Sequence, residues 1–382
     1  MKTKILATTL LLSSSAFAVT ANGFDLTAYG FIKSSAMYSD HALASYNNIN
    51  LSAPTYAVAQ SRGVDKTSRM SFQTQQSRVG ANLKKGDNLS AKLEFDFIDF
   101  NKSSPTTQMN PRVRIASVTY AWENQKVIIG QDWDMFSPVT TYTFDYVGLY
   151  FMAGNTGFMR QQAQYLNTQG DWEFGAALGM AGNNPGAIDA DLEIAKAPTY
   201  ALRATRNLEK GRIGLSGIYS RLNYETSNHT AHDAYGFNGF YEKIYNALSV
   251  KSEVYYGQNL ANLGTLSIGK GTNSTNIREW GATLTGSYMM YEKNYLFGGA
   301  GIAAVTNKDQ LSSFALNGTT NVITTTGIKQ NFLTRVGWEY RVTDDFSWIT
   351  EFSRYQTESK LSSSKYHTVV AHSLETGIQL RF

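Results

Sequence analysis

The sequence predicts an all-β fold, a transmembrane antiparallel β-barrel of about 16 strands, on the basis of three observations. Apolar and polar residues alternate with a period of two, short turns alternate with long polar loops, and no segment beyond the N-terminal one is apolar enough for a membrane helix. Successive side chains of a strand point to opposite faces, so this alternation gives each strand a lipid face and a wet face. Closing the sheet pairs the backbone groups inside the membrane.

The N-terminal segment has the composition of a secretory signal peptide. Lys2 and Lys4 precede the apolar run 5–12, and Ala16-Phe17-Ala18 supplies small residues at the two positions that a signal peptidase reads. The apolar run is too short to span a bilayer. We expect cleavage after Ala18, with Ala21 as the alternative, so that residues 1–18 are the signal peptide and residues 19–382 form one barrel domain.

The composition narrows the functional classes. Mean hydropathy is −0.30 and 17% of the residues are charged, yet the chain contains 23 Tyr, 20 Phe and 6 Trp. Strands with alternating faces average to a polar composition, and aromatic residues mark both membrane interfaces of a barrel. The lack of cysteine removes a disulfide framework and thiol chemistry. Loss of the two signal-peptide lysines leaves a nearly neutral chain, so we expect no nucleic-acid partner.

The alternation is clearest in the third predicted strand, where Leu89, Leu93 and Phe97 share one face and Lys92 and Glu94 share the other. An even number of strands, with short turns at one end and long loops at the other, places both termini on one side. The same pattern, bounded by turns, predicts sixteen strands at residues 24–38, 67–83, 89–100, 112–122, 126–131, 159–168, 172–181, 198–207, 212–222, 232–243, 248–258, 277–289, 294–303, 327–340, 346–355 and 366–382.

The fourth predicted strand is irregular. If Arg112 and Arg114 face the interior, strict alternation also turns Val118 and Trp122 inward. The sequence therefore predicts either a bulge or a different register in this strand.

The last strand is amphipathic to its final residue. Leu374, Ile378 and Leu380 alternate with polar residues, and the chain ends on Phe382. An edge strand of a soluble sheet can show the same pattern. A strand that runs to the C-terminus and stops on Phe resembles the closing strand of bacterial outer-membrane barrels, and this resemblance implies that Phe382 is an assembly signal.

The connection after the fifth strand, residues 132–158, is the most informative internal segment. Asp132, Trp133, Asp134 and Phe136 lie at its start, and no strand pattern resumes until about residue 159. Its position and its acidic and aromatic residues resemble the constriction loop of sixteen-stranded trimeric porins. That loop folds into the lumen, so we expect an inward-folded third external loop.

Several short motifs fall in the order seen in the porin superfamily: Leu26–Lys33, Ser77–Gly80, Arg112–Arg114, Gly130–Trp133 and Arg160–Gln162. The chain most resembles the DcaP-like porins, trimeric channels that admit small dicarboxylates. This resemblance implies a homotrimer in contact with outer-membrane lipid and lipopolysaccharide, and a pore for small hydrophilic, chiefly anionic solutes.

Five arginines predicted to face the interior are the candidate pore-lining, solute-binding residues: Arg78, Arg112, Arg114, Arg160 and Arg203. A guanidinium stays charged and offers a fixed fork of donors that matches a carboxylate. Opposite Asp132 and Asp134, such a cluster would set up a transverse field. The alternative is a structural network in which the arginines only pin the loop through ion pairs.

Enzyme and adhesin alternatives have weaker support. His232 and Asp233 are a neighbouring histidine–carboxylate pair, but adjacent strand residues point to opposite faces. His229 and His232 have a spacing that could bind metal, but a third ligand is lacking. The sequence contains neither a Gly-x-Ser-x-Gly nucleophile motif nor a phosphate loop. We therefore expect an outer-membrane porin without catalytic residues, cofactor or metal, and with a modest preference for anions such as (di)carboxylates.

Overall fold

The computed structural model describes residues 18–21, 23–45, 48–49, 53–58, 66–98, 110–180, 198–223, 231–271, 275–312, 327–361 and 365–382. Within these residues, sixteen antiparallel strands form one closed barrel. The first strand closes the sheet on itself by pairing with both the second and the last strand. The predicted fold class and strand number are confirmed.

The strands follow the predicted order along the chain. They are β1 (Phe24–Ser39), β2 in two parts, β2a (Arg69–Gln73) and β2b (Arg78–Lys85), β3 (Leu89–Asp96), β4 (Arg112–Trp122), β5 (Gln125–Trp133), β6 (Met159–Gln169), β7 (Trp172–Gly179), β8 (Thr199–Leu208), β9 (Gly211–Asn223), β10 (Ala231–Tyr245), β11 (Leu248–Gln258), β12 (Arg278–Tyr291), β13 (Asn294–Val305), β14 (Ile328–Arg341), β15 (Phe346–Lys360) and β16 (Tyr366–Arg381). A short strand, Ala18–Ala21, pairs with the start of β1, and Leu43–Ser45, Asn48–Ile49 and Tyr56–Ala57 form a small separate sheet.

The alternation of faces holds in three dimensions. On β16, Leu374, Ile378 and Leu380 are exposed on the outer face, while Ser373 and Glu375 are buried on the inner face. Exposed Leu, Val, Phe, Tyr and Trp side chains form a similar outer surface on the other strands. The apolar face therefore points outward, as membrane lipid requires.

β2 is interrupted, whereas the sequence predicts a continuous strand. Ser35 of β1 pairs with Gln73, and Phe31 pairs with Arg78, so the second strand has one more residue between these pairs than β1 has. The intervening Gln76 and Ser77 are buried and turn toward the interior. The hydroxyl of Ser77 accepts a hydrogen bond from the backbone N–H of Lys33 at 3.0 Å, which replaces part of the ladder.

The predicted irregularity of the fourth strand is confirmed as a β-bulge. Phe95 pairs with Val113, and the adjacent Glu94 pairs with Ile115, so Arg114 is the extra residue of β4. Both Arg114 and Ile115 are buried, because the bulge turns two successive side chains inward. The residues that follow then alternate in the expected order.

The turns at one end of the barrel are short. Glu123, Lys210 and Asn246 adopt positive φ values there, as do Gly86 and Gly170, since these two- and three-residue connections reverse the chain through left-handed conformations. We call this end the short-turn end and the other the long-loop end. None of the helices in the described ranges reaches the length and hydropathy of a membrane-spanning helix.

Candidate functional site

The third external connection, residues 134–158, lies inside the barrel, and we call it the inner loop. Met135, Phe136, Phe144, Tyr150 and Phe151 are at most 2% exposed. Burying one such side chain contributes about 1.5–3 kcal/mol, so the loop is a packed part of the interior and not a mobile surface segment. The predicted inward fold of this loop is confirmed.

Asp134 fixes both ends of the inner loop. Its Oδ1 accepts hydrogen bonds from the backbone N–H groups of Phe136 at 3.0 Å and Ser137 at 3.2 Å. Its Oδ2 accepts one from the N–H of Phe158 at 3.3 Å. Burial raises the pKa of the Asp134 carboxyl, and the Arg160 guanidinium 3.7 Å away acts in the opposite direction. One carboxylate therefore holds the entry and exit of the loop together.

The tip of the inner loop is tied to β14 and β15 by a buried ion-pair network. Arg335 donates to Asp145 Oδ2 and to Glu351 Oε1, both at 3.1 Å, and to Thr143 Oγ1 at 2.7 Å. All of these side chains are buried. Removing one member of such a network leaves an uncompensated buried charge, which is why the tip position is strongly specified.

A second buried cation holds the same tip from β1. The ammonium of Lys33 lies 2.8 Å from Glu375 Oε1 and donates to the carbonyl oxygen of Phe144 at 2.6 Å and to Gln76 Oε1 at 2.8 Å. It also lies 3.8 Å above the Phe144 ring. The break in β2 therefore supplies the glutamine that completes this contact.

The opposite wall holds the loop through Glu253 of β11. Its oxygens accept hydrogen bonds from Ser137 Oγ and Asn155 Nδ2, both at 2.7 Å, from Asn238 Nδ2 at 3.2 Å and from the N–H of Val139 at 3.3 Å. In the described part of the chain, Glu253 has no ion-pair partner. The negative charge is instead solvated by donors that belong mostly to the inner loop.

Two glycines let the loop lie flat against β12 and β13. Gly154 has a φ of 96°, and a Cβ there would meet the carbonyl oxygen of Ala282 at 2.2 Å. A Cβ at Gly301 would meet the carbonyl oxygen of Ala153 at 2.1 Å. These close approaches allow only glycine at both positions.

Two of the predicted arginines share a buried carboxylate pair near the root of the inner loop. Arg112 binds Asp96 through Nε at 2.9 Å and Nη2 at 2.5 Å. Arg114 binds Glu94 at 2.8 Å and Asp96 at 3.1 Å. The bulge thus brings two arginines onto two carboxylates that face them from β3.

Arg78 and Arg160 contact the chain elsewhere. Arg78 donates to the carbonyl oxygen of Tyr146 at 2.7 Å, and Arg160 donates to that of Met180 at 2.7 Å while pairing with Asp134. Both arginines therefore hold backbone segments in place. A contact between these arginines and a passing solute remains a prediction.

The remaining predicted loop residues lie beside the arginines and not opposite them. Asp132 is in register with Arg160 and accepts a hydrogen bond from Ser117 Oγ at 2.7 Å. The Trp133 ring lies 5.6 Å from the Arg114 guanidinium. The acidic and basic groups thus form local pairs, which the sequence pattern alone did not specify.

Phe382 closes the barrel at the short-turn end. Its N–H donates to the carbonyl oxygen of Gly30 at 3.1 Å, and the N–H of Gly30 donates to the carbonyl oxygen of Phe382 at 2.9 Å. The last residue therefore extends the β16–β1 ladder beyond the strand itself.

The lumen at the short-turn end, which we call the vestibule, is lined by charged side chains that are only partly buried. Each of three carboxylates there is shared by two cations, so each group carries one excess positive charge. The groups are Glu173 with Lys126 at 3.6 Å and Arg203 at 3.2 Å, Glu242 with Arg212 and with Lys251 at 3.9 Å, and Glu339 with Arg341 at 3.3 Å and Arg381 at 2.9 Å.

Of these cations, only Arg203 was among the predicted site residues. The signal that could have found the others is their place in the strand: Lys126, Arg212 and Arg341 stand within two residues of a short turn, at inward-facing positions. Sequence reasoning favoured the arginines near the inner loop because that loop was the most recognisable segment.

The structure also pairs a histidine and an aspartate that are far apart in sequence. His372 Nδ1 lies 2.8 Å from Asp40 Oδ2 on the outer face near the long-loop end. Asp233, the sequence neighbour of His232, is exposed and accepts a hydrogen bond from Tyr219 at 2.9 Å. His229 lies outside the described residues.

Comparison with known proteins identifies the fold. No family model matches the sequence, and no curated protein matches it significantly. The outer membrane channel DcaP of Acinetobacter baumannii matches with a TM-score of 0.72 at 13% identity, over 95% of this chain and 99% of that chain.

Structures of two further proteins match with lower scores. OmpT of Vibrio cholerae has a TM-score of 0.58 at 13% identity, over 96% of this chain and all of that chain, and a trimer form of OmpT has a TM-score of 0.56 at 12% identity, over 94% and 100%. OprB of Pseudomonas putida has a TM-score of 0.57 at 12% identity, over 94% of both chains. The shared feature is the arrangement of strands along the whole chain. This chain therefore has the fold of the sixteen-stranded outer-membrane porins.

Proposed function

We propose that the protein is a passive diffusion channel of the outer membrane for small hydrophilic solutes, with a modest preference for anions such as (di)carboxylates. The observation that carries this proposal is the vestibule, where each carboxylate is shared by two partly exposed cations. A wide barrel with a polar lumen provides the aqueous path, and eight-stranded barrels by contrast are filled by their own side chains.

The preference follows from the local charge and not from the net charge of the chain. Low-dielectric walls focus the potential of the charges that line an aqueous pore. In well-hydrated surroundings each charge at close range is worth about 1 kcal/mol. Three groups with one excess positive charge each therefore favour anions without excluding neutral solutes.

The proposal includes neither a catalytic role nor a cofactor. The His372–Asp40 pair lies on the outer face, away from the lumen that a solute would cross. Among the lumen-facing acidic groups, Glu173 is bound to a cation and Glu253 to the inner loop, which suits a wall and a constriction.

We also propose that residues 1–18 are removed as a signal peptide, that Phe382 serves as the assembly signal, and that the barrel functions as a homotrimer among outer-membrane lipid and lipopolysaccharide. The trimer form of OmpT, a protein with the same fold, supports the oligomeric state. N-terminal sequencing of the mature protein tests the cleavage site, heat-modifiable mobility of a variant lacking Phe382 tests the assembly signal, and crosslinking in membranes tests the homotrimer.

Reversal potentials of the purified protein in planar bilayers, measured with a KCl gradient, test the channel itself. We expect stepwise ion conductance and a reversal potential on the chloride side of zero. Folded protein that inserts without conductance would refute the channel, and a potassium-selective reversal potential would refute the anion preference.

A further inference from the structure

The connection between β11 and β12 also lies inside the barrel, and we call it the β11–β12 loop. Residues 259–271 are all buried, and the side chains of Leu260 and Leu263 are completely covered. Leu260 packs in one apolar cluster with Phe136 of the inner loop. A Cβ at Gly236 of β10 would lie 2.6 Å from Leu260 Cδ2 and 2.7 Å from Phe136 Cζ. Two connections therefore pack together against the inner face of the wall.

The β11–β12 loop is fixed to itself and to the wall by polar contacts. Asn262 closes the loop, because its Oδ1 accepts a hydrogen bond from the N–H of Gly271 at 2.8 Å and its Nδ2 donates to the carbonyl oxygen of Gly271 at 3.3 Å. Glu279 of β12 accepts hydrogen bonds from the backbone N–H groups of Ile268 and Gly269. These contacts specify the path of the loop across the inner face of the barrel.

The β11–β12 loop is joined to the inner loop at Leu266. The N–H of Met152 donates to the carbonyl oxygen of Leu266 at 2.7 Å, and the N–H of Leu266 donates to the carbonyl oxygen of Thr156 at 3.2 Å. The Leu266 side chain is 1% exposed and packs in one apolar cluster with Val147. The exit limb of the inner loop, residues 150–156, is thus bonded to the β11–β12 loop through its backbone.

We propose that the β11–β12 loop is a positioning element of the constriction, which sets the pore width by holding the exit limb of the inner loop in place. Buried backbone groups need partners because water does not reach them, and Leu266 supplies those partners for Met152 and Thr156. If the β11–β12 loop loosens, the exit limb must move to regain hydrogen bonds, and the inner loop shifts with it. The inference rests on the proposed channel function, since pore width matters only in a conducting lumen.

The variant Asn262→Ala loosens the β11–β12 loop with little loss of volume, because it removes both side-chain bonds to Gly271. Single-channel conductance in planar bilayers should rise by about 1.5-fold or more, with added open-channel noise, since the exit limb then samples wider positions. The matched control is Asn307→Ala in the β13–β14 connection. It removes two side-chain bonds to the backbone of Arg278 and Asn276 and should leave the conductance unchanged.

A second variant replaces residues 262–268 with a single glycine and thereby removes the contact with the inner loop altogether. The N–H of Ala261 donates to the carbonyl oxygen of Gly269 at 3.2 Å, so the two ends of this segment are close enough to be joined. We expect the conductance to rise by about twofold or more. Replacement of residues 316–322 in the β13–β14 connection with one glycine is the length-matched control and should leave the conductance unchanged. Heat-modifiable mobility verifies that each variant folds.

A positioning element acts through the inner loop, so its effect should vanish when the inner loop is shortened. In a background that lacks residues 139–150, Asn262→Ala should therefore leave the conductance unchanged. A further rise in that background, or wild-type conductance in both variants of the β11–β12 loop, overturns the positioning role. A wild-type protein that inserts without conductance instead overturns the proposed channel, so the two failures are distinguishable.

Discussion

The two halves of the lumen handle charge in opposite ways. At the long-loop half, Arg335 and Glu253 are buried and bind the inner loop. In the vestibule, Arg212 and Lys251 are partly exposed and share Glu242. Each also donates to the inner loop, Arg212 to the carbonyl oxygen of Pro138 at 3.0 Å and Lys251 to that of Thr140 at 2.8 Å. The first region fixes the loop with buried, matched charges, whereas the vestibule holds it with partly exposed cations that outnumber their carboxylates.

This difference shows that an inward charge does not by itself define a pore residue. A charge in a dry, packed region is matched by fixed partners, because an unmatched one would cost several kcal/mol. A charge in a wet region needs no complete match, since water supplies the remaining solvation, and exposed ion pairs contribute only about 0–1 kcal/mol. Excess charge is therefore expected in the vestibule and not beneath the inner loop.

The largest effect should come from removing the inner loop itself. Deleting residues 139–150 takes away the segment that crosses the lumen, so single-channel conductance should rise severalfold and larger solutes should pass. A deletion of equal length in another long connection, residues 184–195, is the control and should change conductance little. Unchanged conductance in the folded 139–150 variant would place the constriction elsewhere.

Replacing Arg335 with methionine should lower the free energy of unfolding far more than replacing an arginine of the vestibule. The change leaves Asp145 and Glu351 buried without their cation, and we expect a loss of about 3–5 kcal/mol in the free energy of unfolding. Arg341→Met, on the same strand but in the vestibule, should cost less than about 1 kcal/mol. Urea titration of both variants in lipid vesicles gives the comparison, and equal costs would contradict the assignment of a dry and a wet half.

Removing cations from the vestibule should change the ion selectivity with little change in the free energy of unfolding. The triple variant Arg212→Gln, Lys251→Gln and Arg381→Gln removes both cations of the Glu242 group and one of the two cations of the Glu339 group. The reversal potential should move toward potassium, because the three groups together then lose their excess of positive charge. A reversal potential identical to that of the wild type would show that the vestibule does not set selectivity.

The smallest selectivity change per charge removed should come from the arginines near the inner loop. Ala at Arg112, Arg114 and Arg160 should weaken the anion preference, but it also strips the buried Glu94 and Asp96 of their partners. We therefore expect a marked loss of stability alongside a modest shift in reversal potential. If the shift exceeds that of the vestibule variant while unfolding is unchanged, these arginines line the main pathway.

Much of the fold followed from local sequence. The period-two pattern predicted the number and order of the strands. Strict alternation would have placed the charged Arg112 and the apolar Val118 on the same face, and this conflict indicated the bulge in β4. The interruption of β2 was not predicted. Its cause is a contact between Gln76 and Lys33 on one side and the inner loop on the other, and no short stretch of sequence encodes such a contact.

The sequence by itself determined which side chains face inward, where the chain turns, and which connection enters the lumen. These are properties of neighbouring residues, since the pleat fixes the face of each side chain. Only the tertiary structure decided which charges meet. Lys33 binds Glu375, and Arg335 binds Asp145, across separations that depend on the closure of the barrel and on the path of the inner loop. The same closure brings cations from separate strands around single carboxylates in the vestibule, because strand stagger and not sequence distance sets their spacing.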